Sequence, residues 1–79
     1  MKVEILTPKK VELETEARAV ILPTVMGEIS VLNHHVPLIA VLKKGTIRVL
    51  GTNGDTPIEV DGGIAEIIAN KITILLKKF

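Results

Sequence analysis

The chain has 79 residues and a formal net charge of +1, with 47% hydrophobic and 24% charged residues. That balance describes one small folded domain and excludes both a disordered tail and a strongly basic nucleic-acid binder. Cysteine, Trp and Tyr are absent and Phe79 is the one aromatic residue, which removes thiolate metal sites, cysteine nucleophiles, disulfide scaffolds and aromatic stacking platforms together.

The segment Met1-Lys2-Val3-Glu4-Ile5-Leu6 alternates apolar and polar residues. It reads as a strand and, with Glu4 inside it, not as a signal or transit peptide. Thr7-Pro8 breaks the run, and Val11 and Leu13 then alternate with Lys10, Glu12 and Glu14. Ala17 to Leu22 forms the next strand, with Val20 and Leu22 on one face, ended by Pro23, and a helix over Thr15 to Leu22 is not favoured with Pro23 immediately after. Glu28 to Leu32 places Ile29 and Val31 on one side. Pro37 to Leu42 is apolar on both faces and is expected to be a central strand or a buried turn of chain. The longest apolar run, Val36 to Leu42, has seven residues, far short of the roughly twenty a membrane helix needs.

Thr46 to Leu50 directs Ile47 and Val49 inward. Thr52-Asn53-Gly54-Asp55 is a hairpin signal, because Asn-Gly tolerates the positive φ of a type I′ turn. Ile58 and Val60 follow, then Gly62-Gly63, expected to form a tight turn or bulge. Gly63→Val is therefore expected to cost about 1–3 kcal/mol. Ile64 to Ile68 and Ile72 to Leu76 complete the pattern, joined by Ala69-Asn70-Lys71. The reading is all-β, a flattened sandwich or barrel of about ten short strands in a single domain over residues 1–79.

Chemistry-bearing residues are sparse. His34-His35 are adjacent, and neighbours on an extended chain point to opposite faces, which suits a capped loop better than one metal ion. Ser30 is the one serine and has no Gly-x-Ser-x-Gly surround. A site assembled from Ser30, His35 and Glu28 has no spacing to recommend it. Glu12, Glu14 and Glu16 lie along one strand and read as a charged edge that opposes strand-to-strand aggregation. Lys9-Lys10, Lys43-Lys44 and Lys77-Lys78 read as solvated strand ends. No catalytic residue, metal or cofactor is expected. A mean hydropathy of +0.43 is high for so small a domain, so part of the Ile, Leu and Val complement is expected on a partner-facing patch.

The order of motifs carries more than any one of them. Thr7-Pro8, Leu22-Pro23-Thr24, Gly27-Glu28-Ile29, His35-Val36-Pro37-Leu38, Leu42-Lys43-Lys44-Gly45, Asp61-Gly62-Gly63-Ile64-Ala65-Glu66 and Asn70-Lys71-Ile72-Thr73-Ile74-Leu75 occur in sequence. In that register the chain resembles the N-terminal domain of the epsilon subunit of F-type ATP synthase. The resemblance implies a ten-stranded flattened β-sandwich and a non-catalytic rotor part. Its partners would be the gamma subunit and the c-ring, with no nucleic acid and no membrane insertion of its own. Its location would be peripheral, at the cytoplasmic face of a bacterial membrane.

Carried over by position, Glu28, Ile29 and Ser30 would approach the c-ring loops, and Thr7 and His35 would lie near gamma. Ser30 stands where the family usually has Gly, and Asn33-His34-His35 where it usually has Pro-Gly-His. Many relatives continue into a two-helix hairpin that restrains hydrolysis or binds ATP. The sequence stops at Phe79, so a short form is expected and no hairpin property is assigned. Two other readings stay open: a freestanding β-sandwich interaction module, and a metal-dependent enzyme using His34, His35 and Glu28.

Overall fold

In the computed structural model, residues 1–33, 36–52 and 54–77 are described. Nine strands occur among them. They are β1 (Lys2–Leu6), β2 (Val11–Glu16), β3 (Ala19–Thr24), β4 (Gly27–Leu32), β5 (Leu38–Leu42), β6 (Gly45–Gly51), β7 (Gly54–Val60), β8 (Gly63–Ile68) and β9 (Lys71–Leu76). Hydrogen bonding runs β2-β1-β9-β8-β5-β3-β6-β7, with β4 on β3. All pairs are antiparallel except β1 with β9.

The path folds over at its middle. β3 and β5 share one register position, Thr24 with Leu42. From there β5 passes through Lys43-Lys44 into β6, and β7 passes through Asp61-Gly62 into β8. One layer is therefore β2-β1-β9-β8-β5 and the other β4-β3-β6-β7. Each strand alternates, so each layer turns one apolar face inward. Val3, Ile5, Ala65, Ile67, Ile72, Ile74 and Leu76 meet Val20, Leu22, Val31, Ile47 and Val49 in one core. Most of these side chains are β-branched, as a pleated and half-buried surface favours.

Two sequence expectations change. β5 was expected to be apolar and covered on both faces. It is central in the hydrogen-bond path, but Ile39 (69% exposed) and Val41 (53%) face solvent while Ala40 and Leu42 face the core. The strand covered on both faces is β3, where only Ile21 is not fully buried. Pro23 does not end β3; it pairs with Glu28 while its carbonyl accepts from Lys43 N–H at 2.9 Å. Proline is tolerated there because its missing N–H leaves no ladder bond unmade.

A β6–β7 hairpin forms, but its closing pair is Gly51 with Gly54, so the turn sits one residue ahead of the expected Thr52-to-Asp55 turn and Gly54 opens β7. Asn53, the first half of its Asn-Gly signal, lies outside the described residues. Pro57 sits in β7, an edge strand, where proline costs no ladder bond. The Gly62-Gly63 turn is also found: Gly62 has φ +126° and Gly63 opens β8.

Candidate functional site

The outward positions of the first layer line up across five strands. Val41 pairs with Ile64, Ile64 with Leu75, Leu75 with Leu6 and Leu6 with Val11. Val41, Ile64, Leu75 and Val11 are each about half exposed. At 4.7–4.9 Å between strands, five strands make a row about 19 Å long. The row is apolar throughout, on the face turned away from the core. A shallow depression of about 440 Å³ lies along it, lined by Val41, Ile64, Leu75, Pro8 and Lys77 among others.

The row has unlike margins. Where the strands of this layer meet the bend into the other layer, Lys9, Lys10, Lys43, Lys44 and Lys77 are exposed. The next outward row in the opposite direction is Ile39, Glu66, Thr73, Glu4 and Glu14 by the same registers. Glu4 is held by Lys71 at 3.7 Å and Glu14 by Lys2 at 3.9 Å. These pairs are solvated and add little stability. Away from the bend carboxylates and amines occur together, so only the margin toward the bend carries charge mostly of a single sign.

Thr7 closes the turn at one end of this row. Its N–H donates to the Lys10 carbonyl at 3.0 Å. Its hydroxyl accepts from Lys9 N–H at 3.3 Å and donates to Glu12 Oε2 at 3.2 Å. The side chain thus organises the β1–β2 turn and is half-buried. His35 lies outside the described residues, as does His34.

Glu28, Ile29 and Ser30 follow one another on β4. Glu28 and Ser30 are exposed; Ile29 is half-buried and packs against the core. Period-two geometry requires this split, since neighbours on a strand face opposite ways. Ile29 thus stiffens the strand that presents Glu28 and Ser30. The hairpin tip before them, Val25-Met26, is pinned by Thr24, whose hydroxyl donates to the Gly27 carbonyl and accepts from Met26 N–H at 3.2 Å. Among the described residues no group of three or more His, Asp or Glu side chains is placed to hold a metal ion.

The cross-strand row and the Val25-Met26 tip were not singled out in the sequence. The signal for the row was present in part, since β5, β8 and β9 carry aliphatic residues at outward positions. Joining them needed the parallel register of β1 with β9, which brings together segments at opposite ends of the chain.

The described residues thus form a nine-strand β-sandwich with one apolar core and an apolar outer row. Residues 1–79 match the family described as ATP synthase, Delta/Epsilon chain, beta-sandwich domain, and the chain belongs to that family. It is 41% identical over 76 residues to the chloroplastic ATP synthase epsilon chain of Thalassiosira pseudonana, covering 96% of this chain and 57% of that one. It is 37% identical over 76 residues to the ATP synthase epsilon chain of Gloeothece citriformis, covering 96% and 55%. The chain thus spans little more than half the length of these relatives.

In structure it is similar to a chain of the Tetrahymena thermophila mitochondrial ATP synthase central stalk and c-ring, with a TM-score of 0.83 at 20% identity, covering 99% of this chain and 63% of that one. A chain from the Euglena gracilis mitochondrial ATP synthase, in a structure of OSCP, F1 and the c-ring, aligns with a TM-score of 0.86 at 22% identity, covering 94% and 48%. At these identities the two likenesses establish the shared fold.

Proposed function

We propose that this chain supplies the β-sandwich of a non-catalytic central-stalk subunit of an ATP synthase, joining gamma to the c-ring so that ion flow through the ring drives ATP synthesis. Residues 1–79 act in this reading as one epsilon-type domain. The observation that carries it is the exposed apolar row Val41–Ile64–Leu75–Leu6–Val11. Solvent-facing aliphatic residues in register across five strands add little to the core, and a row of this kind marks an interaction surface. Gamma covers the row, with the Thr7 turn at its edge and His35 as a further contact.

The c-ring loops meet the β3–β4 hairpin. Glu28 and Ser30 face them, and Ile29 holds the strand from behind. Glu28 pairs with a basic loop residue, which sets orientation and association rate more than affinity. Assembled this way, the domain lies peripheral to the membrane through the complex, on the side that carries the catalytic head, which in a bacterial cell is the cytoplasmic face.

The test is binding of the 79-residue chain to a rotor subcomplex of gamma and c-ring lacking its own epsilon subunit. One-to-one association is expected, weakened several-fold by Glu28→Lys, since a solvated pair contributes about 0–1 kcal/mol and the substitution turns attraction into repulsion. A well-folded chain that fails to bind at tens of micromolar would overturn the proposal.

A further inference from the structure

Three lysine doublets stand far apart in the sequence, at Lys9-Lys10, Lys43-Lys44 and Lys77-Lys78. The fold brings the described members of all three to one end of the first layer. Leu6 pairs in parallel with Leu75, Leu75 pairs with Ile64 and Ile64 with Val41. The β1–β2 turn, the end of β9 and the β5–β6 crossing therefore leave the layer on the same side. They share an edge about 19 Å long at the usual strand spacing. Lys9, Lys10, Lys43, Lys44 and Lys77 are all exposed along it; Lys78 lies outside the described residues.

Elsewhere the described cations are matched, Arg18 excepted. The ion pairs among the described residues use the N-terminal ammonium, Lys2, Arg48 and Lys71, and none uses a lysine of this edge. Two carboxylates stand near the edge: Glu12, which accepts from the Thr7 hydroxyl at 3.2 Å, and Asp61 in the β7–β8 crossing. Five lysines thus outweigh them. Glu28 and Glu59 stand at the same end of the domain but on the other layer, about 10 Å across the sandwich. Glu59 accepts from the Thr46 hydroxyl at 2.5 Å. Backbone bonds fix the β3–β4 hairpin beside the lysines: Lys43 N–H donates to the Pro23 carbonyl and Val25 N–H to the Val41 carbonyl, both at 2.9 Å. This end is therefore two-sided, cationic along one layer and acidic along the other.

We infer that the lysine edge lies on anionic lipid headgroups beside the ring, a contact with the bilayer surface that inserts nothing. It goes beyond the stalk reading and takes its orientation from it. With Glu28 toward the ring loops, the whole end of the domain turns toward the membrane. The basic loop residue that pairs with Glu28 repels the lysines, which favours their place past the loops and over lipid. The make-up of the edge favours lipid over a protein carboxylate as well. All five cations are Lys. Protein interfaces are enriched in Arg, whose fork meets a carboxylate in fixed geometry, and depleted in Lys. A bilayer surface asks for no such geometry and attracts any lysine within a Debye length, about 8 Å in physiological salt. Each lysine so placed raises partitioning about fivefold.

The experiment sediments the 79-residue chain with vesicles of phosphatidylcholine, alone or with about 30% phosphatidylglycerol. Two double variants are compared with the wild type: Lys43→Gln with Lys44→Gln at the edge, and Lys2→Gln with Lys71→Gln at the opposite end of the layer. Both remove the same formal charge, and both should melt near the wild type because only solvated side chains change. The wild type should bind the anionic vesicles in preference to the neutral ones, and less as salt rises. The edge variant should bind them about 10–25-fold more weakly and the opposite-end variant within about threefold of wild type. No binding, equal binding to both vesicle types, or equal losses in the two variants would overturn the lipid contact and leave the stalk reading standing. The edge variant should also match the wild type on the gamma–c-ring subcomplex in detergent without anionic lipid; a tenfold loss there would place the lysines on protein and overturn the inference. A wild type that binds anionic vesicles through this edge but not the subcomplex would remove the stalk reading and keep the lipid contact.

Discussion

Gly63→Ala is the substitution whose cost the structure fixes most directly. Gly63 opens β8 between two partners, Leu42 on β5 and Leu76 on β9. A Cβ built there stands 2.4 Å from the Leu75 carbonyl oxygen, 3.1 Å from Leu76 Cδ2 and 3.2 Å from Leu76 Cα. The first and last are backbone atoms inside a three-strand ladder, so no side-chain rotation relieves them. Either β9 moves away from β8 or the ladder opens locally. Overpacking costs about 1–3 kcal/mol, and each ladder bond lost adds about 0.5–1.5 kcal/mol. The expected total is about 2–4 kcal/mol, above the lower end of the range expected for Gly63→Val from sequence.

For a domain of this size, 3 kcal/mol corresponds to a fall of about 12–24 °C in Tm. With neither Trp nor Tyr in the chain, the transition is followed by far-UV circular dichroism in urea and by calorimetry. Gly54→Ala is the control. Nothing lies within 4 Å of its Cβ, but its φ of +125° strains any side chain, so it should lose only about 1 kcal/mol. Gly63→Ala within 0.5 kcal/mol of wild type at an unchanged urea dependence would refute the close-approach argument.

Two other substitutions have opposite expected signs. Ala69 is the one described non-glycine residue with positive φ, at +54°, in the two-residue turn between Ile68 and Lys71. Ala69→Gly should relieve left-handed strain and raise stability by about 0.5–1 kcal/mol, read as a Tm higher by about 2–8 °C; a lower Tm would count against it. Thr24→Val keeps the buried shape but removes the hydroxyl that serves Met26 N–H and the Gly27 carbonyl. A loss of about 1–2 kcal/mol is expected in chemical denaturation, together with faster amide exchange at Met26, and unchanged exchange there would show that the hydroxyl does not order the tip.

How far the fold could be read ahead of the structure follows from which interactions are local. Alternation over a few residues marked the strands other than β5, which was read from an apolar run, and Pro, Gly and Asn-Gly marked the breaks, because those signals act within a few residues. Burial on the second face did not follow. Val20 and Leu22 were visible as one inward face of β3, but Ile21, Pro23 and Thr24 are covered by neighbours that only the topology supplies. The opposite error occurred at β5, whose apolar outer face looks like a buried one when composition alone is read. Thr7, Glu28 and Ser30 enter the proposed contacts through the order of the family's motifs alone. The Val25-Met26 tip was not legible, because that order runs past it and nothing local distinguishes an exposed Val-Met pair from a buried one.

The same alternation separates the core from the outer row. On β5, β8, β9 and β1 the inward residues Leu42, Ala65, Ile74 and Ile5 belong to the core, while their neighbours Val41, Ile64, Leu75 and Leu6 form the outer row. A strand of this kind pays for its outer aliphatic residues in solubility and gains little from them in the isolated domain. In the proposed assembly gamma covers this row, which would remove its aliphatic side chains from water. The sandwich also explains why such a surface stays in shape while free. Its strands are tied beside the row, by the Thr7 turn and by the Lys43-Lys44 and Asp61-Gly62 crossings. The row is therefore ordered before a partner arrives, and association need not meet the entropy of arranging it.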